Sequence, residues 1–145
     1  MTSGLHKVLI SWIGGNDLKA VADKPSGPIL STLENAEFDS VELLYSYPQA
    51  EVKPYLSWLQ HQVDIPIKAQ EAKLSSPVNF GEIYLAAEPL LKKLSTGATE
   101  LSILLSPGTP AMQAVWILLG KTRYPAVFYQ SSRERGVERV EIPFE

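Results

Sequence analysis

No cysteine occurs among these 145 residues, which excludes disulfides and thiolate metal sites. Histidine is almost as scarce. His6 and His61 stand far apart, without the spacing of a metal-ligating pair, so neither a metal nor another cofactor is expected. Nor is there a basic excess. The formal net charge is −3 and the isoelectric point about 5.4, which argues against generic binding of double-stranded DNA or any other polyanion. An anion that binds here must be held by a local site. No apolar run approaches the roughly 20 residues that cross a bilayer, and Met1 to Lys7 lead straight into a strand-like segment, unlike a signal peptide. A soluble, cytoplasmic protein without a membrane partner is expected.

What is present suits one folded domain over residues 1–145. With 45% hydrophobic and 20% charged residues, the chain has enough apolar surface to offset its ordering entropy. Residues 7–13 (KVLISWI) and 100–105 (ELSILL) are apolar almost throughout, as in parallel strands buried on both faces. Further strands are expected at 40–45, 65–72 (less apolar, nearer an edge), 126–130 and 137–144, the last antiparallel at the sheet edge. Helical patterns fill the gaps. Pro28 opens one; residues 48–62 carry Val52, Tyr55, Leu56 and Leu59 on a stripe; 79–94 carry Ile83, Ala86, Ala87, Leu90, Leu91 and Leu94; and 110–119 follow the second buried strand. Residues 14–27, including Pro25, read as loop with at most a helical turn. Alternating strands and helices predict an α/β, Rossmann-like, mainly parallel six-stranded sheet with helices on both faces.

In such a sheet ligands bind outside the carboxyl ends of the strands, and two loops have suitable composition. The first is Ser11-Trp12-Ile13-Gly14-Gly15-Asn16-Asp17. Its paired glycines let backbone approach a ligand, and Asn16 and Asp17 can bond base or ribose groups. The same residues also suit a plain turn with a satisfied aspartate. The second is Ser106-Pro107-Gly108-Thr109-Pro110-Ala111-Met112-Gln113. Thr109 is placed to cap a helix whose first position is Pro110, and the free N–H groups beyond form a favourable anion site. Capping alone explains the pattern equally simply, since it lacks a P-loop lysine and the three spaced glycines of a dinucleotide fingerprint. Trp116 reads as core, Trp12 as core or base-stacking platform, and the Arg133-Glu134-Arg135 turn as a solvated loop. No Ser-His-Asp arrangement, carboxylate pair or metal cluster can be assembled.

Leu104 to Gln113, with its Gly108-Thr109-Pro110-x-Met112 core, resembles the signature of the CRISPR-associated Rossmann fold (CARF) family. It is similar in particular to the N-terminal sensor domains of transcriptional regulators of the RNA terminal phosphate cyclase operon. The 11–17 loop, Leu43-Leu44-Tyr45 and the order of elements support the resemblance along nearly the whole chain. It implies a homodimer with a shared pocket for a cyclic oligoadenylate or an RNA-end-derived nucleotide or short RNA. That pocket would control a C-terminal effector domain missing from this chain, in transcription regulation. It implies phosphates on Gly108 and Thr109 backbone and the Ser106 and Thr109 hydroxyls, bases against residues 14–17, and a further contact from Asn79. Met112 and Val115 are then candidates for the dimer face. Pro110 stands where many cyclic-oligoadenylate binders carry lysine. Two alternatives stay open: a ring nuclease using Ser11, Ser106 and Thr109, and a ligand-free interaction or dimerisation domain.

Overall fold

The computed structural model describes residues 4–21 and 27–143; Pro25 and Phe144, named above, lie outside them. Strand β1 (His6–Trp12) is buried from Val8 onward. A short helix α1 (Gly15–Lys19) follows, then α2 (Pro28–Asn35), β2 (Ser40–Tyr45) and α3 (Gln49–Gln62). The chain continues through β3 (Ile67–Glu71), α4 (Phe80–Leu94), β4 (Thr99–Leu104), α5 (Pro110–Thr122), β5 (Ala126–Ser132) and β6 (Gly136–Val140). The six strands form one sheet in the order β3-β2-β1-β4-β5-β6. All neighbours are parallel except β5 and β6, which pair antiparallel with Phe128 opposite Val140. The predicted antiparallel edge is therefore present, and β3, the less apolar strand, forms the other edge.

The two-residue period of a strand sends alternate side chains to opposite layers, and β1 shows this directly. Val8, Ile10 and Trp12 join a core with Ile83, Leu90 and Leu91 of α4 and Val115, Trp116 and Leu119 of α5. Leu9 and Ile13 join the other, with Ile29 and Leu30 of α2 and Val52, Tyr55 and Leu59 of α3. Trp12 and Trp116 are 1% and 0% exposed with ring centroids 6.4 Å apart, so Trp12, which the sequence left open, is core. Met112 and Val115, expected to face a partner, are instead buried within this chain at 4% each. The reason is helical phase. The stripe that packs on β4 and α4 takes Met112 and Val115, and the outward positions fall to Pro110, Ala114 and Leu118.

The strand order decides where a ligand site lies. From β1 the chain winds outward to β2 and β3, whereas β4, β5 and β6 wind away on the other side. The loops after β1 and β4 leave the sheet side by side at this switch in strand order, the place where open parallel sheets bind ligands. Both predicted loops leave the sheet there. No helix among the described residues is long and apolar enough to cross a membrane, and no group of acidic, histidine or cysteine side chains among them could hold a metal.

Candidate ligand-binding site

The loop after β1 is organised from inside. Ile13 N–H donates to the Leu44 carbonyl at 2.9 Å, continuing the pairing with β2 one residue past the strand. Gly14 then turns the chain into α1, and its N–H donates to Asp17 Oδ2 at 2.9 Å. Asp17 Oδ1 accepts the Ile29 N–H at 2.9 Å, which ties the first turn of α2 to the loop. The Asp17 side chain is fully buried, 0% exposed. Burial pushes its pKa up to about 6, against the lowering effect of its bonds from Ile29 and Gly14. Gly27, at φ 85°, closes over the same loop; a Cβ there would lie 3.0 Å from the Asn16 carbonyl, so only glycine fits without displacement.

The loop after β4 keeps more of its polar groups near the surface. Leu105 N–H donates to the Tyr129 carbonyl at 2.8 Å, and Ser106 Oγ accepts the Ser131 N–H at 2.6 Å. Gly108 has φ +97°, the left-handed region that lets the chain reverse into α5. Thr109 caps that helix as expected: its Oγ1 accepts the Met112 N–H at 3.3 Å and donates to the Pro77 carbonyl at 2.7 Å. Gln113 Nε2 donates back to the Leu105 carbonyl at 2.8 Å. The loop thus holds its own shape, with Gly108 and Pro110 exposed at its tip.

The two loops touch. A Cβ on Gly14 would lie 3.1 Å from the Gly108 nitrogen and 3.2 Å from Pro107 Cβ, so the absent side chain is what allows the backbones to meet. Of the candidate residues, Asn16, Asn79, Gly108 and Pro110 are exposed, and Gly15, Ser106, Thr109 and Gln113 are half-buried. Ser11, Trp12, Ile13, Gly14, Asp17, Pro107 and Met112 are buried and shape the site from beneath. The Ser11 hydroxyl donates to the Trp12 carbonyl at 2.7 Å inside the fold. Asn79 caps α4, its Oδ1 accepting the Glu82 N–H at 3.0 Å, two residues beyond Pro77, whose carbonyl accepts the Thr109 hydroxyl.

Sequence reasoning missed Tyr47. Its hydroxyl lies 3.3 Å from where a Gly15 Cβ would stand, and it is 37% exposed. The available signal was its place two residues past β2, the strand beside β1. Lys7 and Arg123 stand apart from the loops' contact. Lys7 lies at the amino end of β1, and Arg123, beyond α5, pairs with Glu88 at 3.6 Å. A groove of about 540 Å³ lined by Lys7, Leu33, Phe38, Asp39, Asp64 and Ile65 also lies at the amino ends of the strands. The switch in strand order and the chemistry of the two loops lie at the other end.

No family model and no curated protein matches the chain. Solved structures do. Csm6 of Enterococcus italicus, bound to cyclic hexa-2'-fluoro-hexa-dAMP, superposes with a TM-score of 0.74 at 15% identity, over 94% of this chain and 41% of that one. The chain shares its α/β, Rossmann-like fold. Can2 of Sulfobacillus thermosulfidooxidans, in complex with cyclic tetra-adenylate, gives 0.65 at 14% identity, over 97% and 39%. Protein VC1899 of Vibrio cholerae gives 0.71 at 11% identity, over 96% and 34%. The chain therefore spans well under half the length of the structures it resembles.

Proposed function

We propose that this chain is a nucleotide-sensing domain that binds a cyclic oligoadenylate, or a chemically similar RNA-end nucleotide, above β1 and β4. The observation that carries this reading is the contact of Gly14 with Pro107 and Gly108 at the switch point of a fold shared with proteins solved with cyclic oligoadenylates. The first turn of α5 presents the positive end of a helix dipole to phosphate, with the Met112 and Gln113 N–H groups already taken by Thr109. Asn16, Gly15 and Tyr47 line the neighbouring rim for base or ribose. Without a lysine at the loop tip, the site suits diester phosphates, each carrying one charge, better than a triphosphate.

Sensing is favoured over ring cleavage by the state of the three candidate hydroxyls. Ser11 is buried, Ser106 accepts a backbone N–H, and Thr109 both accepts and donates; among the described residues, none has a basic side chain as a hydrogen-bond partner. The larger lengths of the structural neighbours support an attached effector, and transcription control by that effector belongs to this same reading. A homodimer would use the outward apolar positions Ala114 and Leu118 of α5, and exposed Phe80 at the start of α4. A thermal-shift panel of cyclic tetraadenylate, cyclic hexaadenylate, linear oligoadenylates and RNAs with cyclic-phosphate ends tests the ligand. At about 100 times the dissociation constant, a true ligand stabilises the fold by ~2.7 kcal/mol. A flat panel from a folded protein rejects the sensor reading, and degradation of the bound nucleotide would replace it with the nuclease.

A further inference from the structure

A buried carboxylate lies directly beneath the place proposed for an anion. Asp17 reaches no solvent, and its oxygens are held by the Gly14 and Ile29 N–H groups. Gly14 in turn backs onto the Gly108 nitrogen. A phosphate at the Gly108 backbone would thus place a second negative charge near Asp17, with the Gly14 backbone between the two. Among the described residues, no cation acts on Asp17. The elements packed on α1 bring Tyr55 of α3, whose buried hydroxyl has no hydrogen-bond partner, and the Ile29 N–H of α2. Lys19 of α1, Glu34 of α2 and Glu51, Lys53 and His61 of α3 are all exposed. The residues of the β4 loop that meet Gly14, Pro107 and Gly108, carry no charge. Tyr55 feels the carboxylate: burial pushes its phenol well above the usual range, and the charge of Asp17 pushes it further.

We propose that binding of an anionic nucleotide at this site is coupled to uptake of a proton by Asp17, so that the domain holds its ligand more tightly in mildly acidic than in alkaline solution. The proposal rests on the sensor reading above and deepens it. Like charges in a poorly solvated region disfavour each other, and the system relieves this by protonating the carboxylate. The neutral acid still accepts one of the two N–H groups through its carbonyl oxygen. Burial has already brought the free carboxyl to about 6, close enough to neutrality for a modest further rise to matter. By linkage, whatever favours the proton favours the anion by the same factor.

The test is titration calorimetry of the full chain with cyclic tetraadenylate and cyclic hexaadenylate, in buffers of different ionisation enthalpy. A tenfold coupling predicts uptake of roughly half a proton near pH 6.5, and affinity roughly eightfold weaker at pH 8 than at pH 5. Asp17→Asn, which mimics the neutral acid, should bind with no proton uptake and a flat pH profile. Exposed His6 and His61 are unchanged in that variant and so are controlled for. Binding without buffer dependence overturns the proposal and leaves the site standing, as does uptake that survives in Asp17→Asn. No binding of either nucleotide removes the sensor reading and this proposal with it. Should Asp17→Asn fail to fold, the Asp17 carboxyl-carbon titration by NMR decides: its midpoint must rise when nucleotide is added.

Discussion

The loops after β1 and β4 leave the same end of the sheet and touch each other, yet they use their polar groups in opposite ways. The β1 loop turns its carboxylate inward, where Asp17 serves two N–H groups and meets no water. The β4 loop places Thr109 and Gln113 at its half-buried edge and leaves Gly108 exposed at the tip. One loop is a scaffold that fixes where Gly14 lies; the other leaves backbone exposed at Gly108. The comparison teaches that two motifs of similar composition divide the work, and that mutation should separate stability from binding accordingly.

The largest effect is expected where the scaffold is broken. Asp17→Ala leaves the Gly14 and Ile29 N–H groups buried without acceptors, at a cost of ~1–3 kcal/mol for each orphan. Urea unfolding should therefore lose several kcal/mol, and a loss under ~1 kcal/mol would show that the loop does not depend on this carboxylate. The pH dependence has a defined sign. A carboxyl raised to about 6 in the fold from 3.8 unfolded binds more protons when folded, so its contribution is fully present below pH 3.8 and is lost as pH rises through 6. The wild type should gain about 2.4 kcal/mol relative to Asp17→Asn between pH 7 and pH 4. A constant difference between the two proteins would contradict the burial of the charge.

Next in size is Gly108→Ala. The position has φ +97°, and an added Cβ would stand 2.7 Å from Met112 Sδ. The backbone strain costs about 1–3 kcal/mol, while the flexible methionine end can move aside. The same change removes the close backbone approach, so nucleotide affinity should fall more than stability does. Equal affinity in calorimetry with the variant would move the phosphate site away from this loop.

Much of this division could be read in the sequence, and the failures have physical causes. The buried strands β1 and β4 were legible because unbroken apolar runs report burial on two faces, and the Thr109 cap because Thr-Pro after glycine has few other uses. Asp17 was placed correctly in its loop, but composition cannot tell an aspartate facing a ligand from one facing its own backbone. The direction of Met112 and Val115 was missed because an apolar residue on α5 reads alike whether the fold or a partner covers it; only helical phase against the sheet decides. Tyr47 was invisible because its proximity to Gly15 arises from the pairing of β1 with β2, a contact between segments some thirty residues apart.

Smaller effects distinguish the loops further. Thr109→Ala removes the acceptor of the Met112 N–H and the donor to the Pro77 carbonyl, and loss of such a cap costs ~1 kcal/mol. Thr109→Ser keeps both bonds and should be near wild type in the same unfolding experiment. If affinity for cyclic oligoadenylate falls in the alanine variant and recovers in the serine variant, the hydroxyl itself is used. If neither variant changes affinity, Thr109 only caps the helix.

The smallest expected change in stability, and the sharpest on the rim, is Tyr47→Phe. The ring is already 37% exposed and its hydroxyl faces Gly15 across 3.3 Å of would-be side-chain space, so removing one oxygen should alter unfolding by less than about 0.5 kcal/mol. A hydroxyl in that position can bond a ribose or a base edge, and a single neutral hydrogen bond contributes about 0.5–1.5 kcal/mol. Affinity should therefore fall by roughly two- to twelvefold by calorimetry. Tyr47→Ala, which also removes the ring, should weaken binding further if the ring stacks on a base. Unchanged affinity in both variants would confine the ligand to the Gly14 and Gly108 backbones and place the base on the far side of the site, toward Asn79.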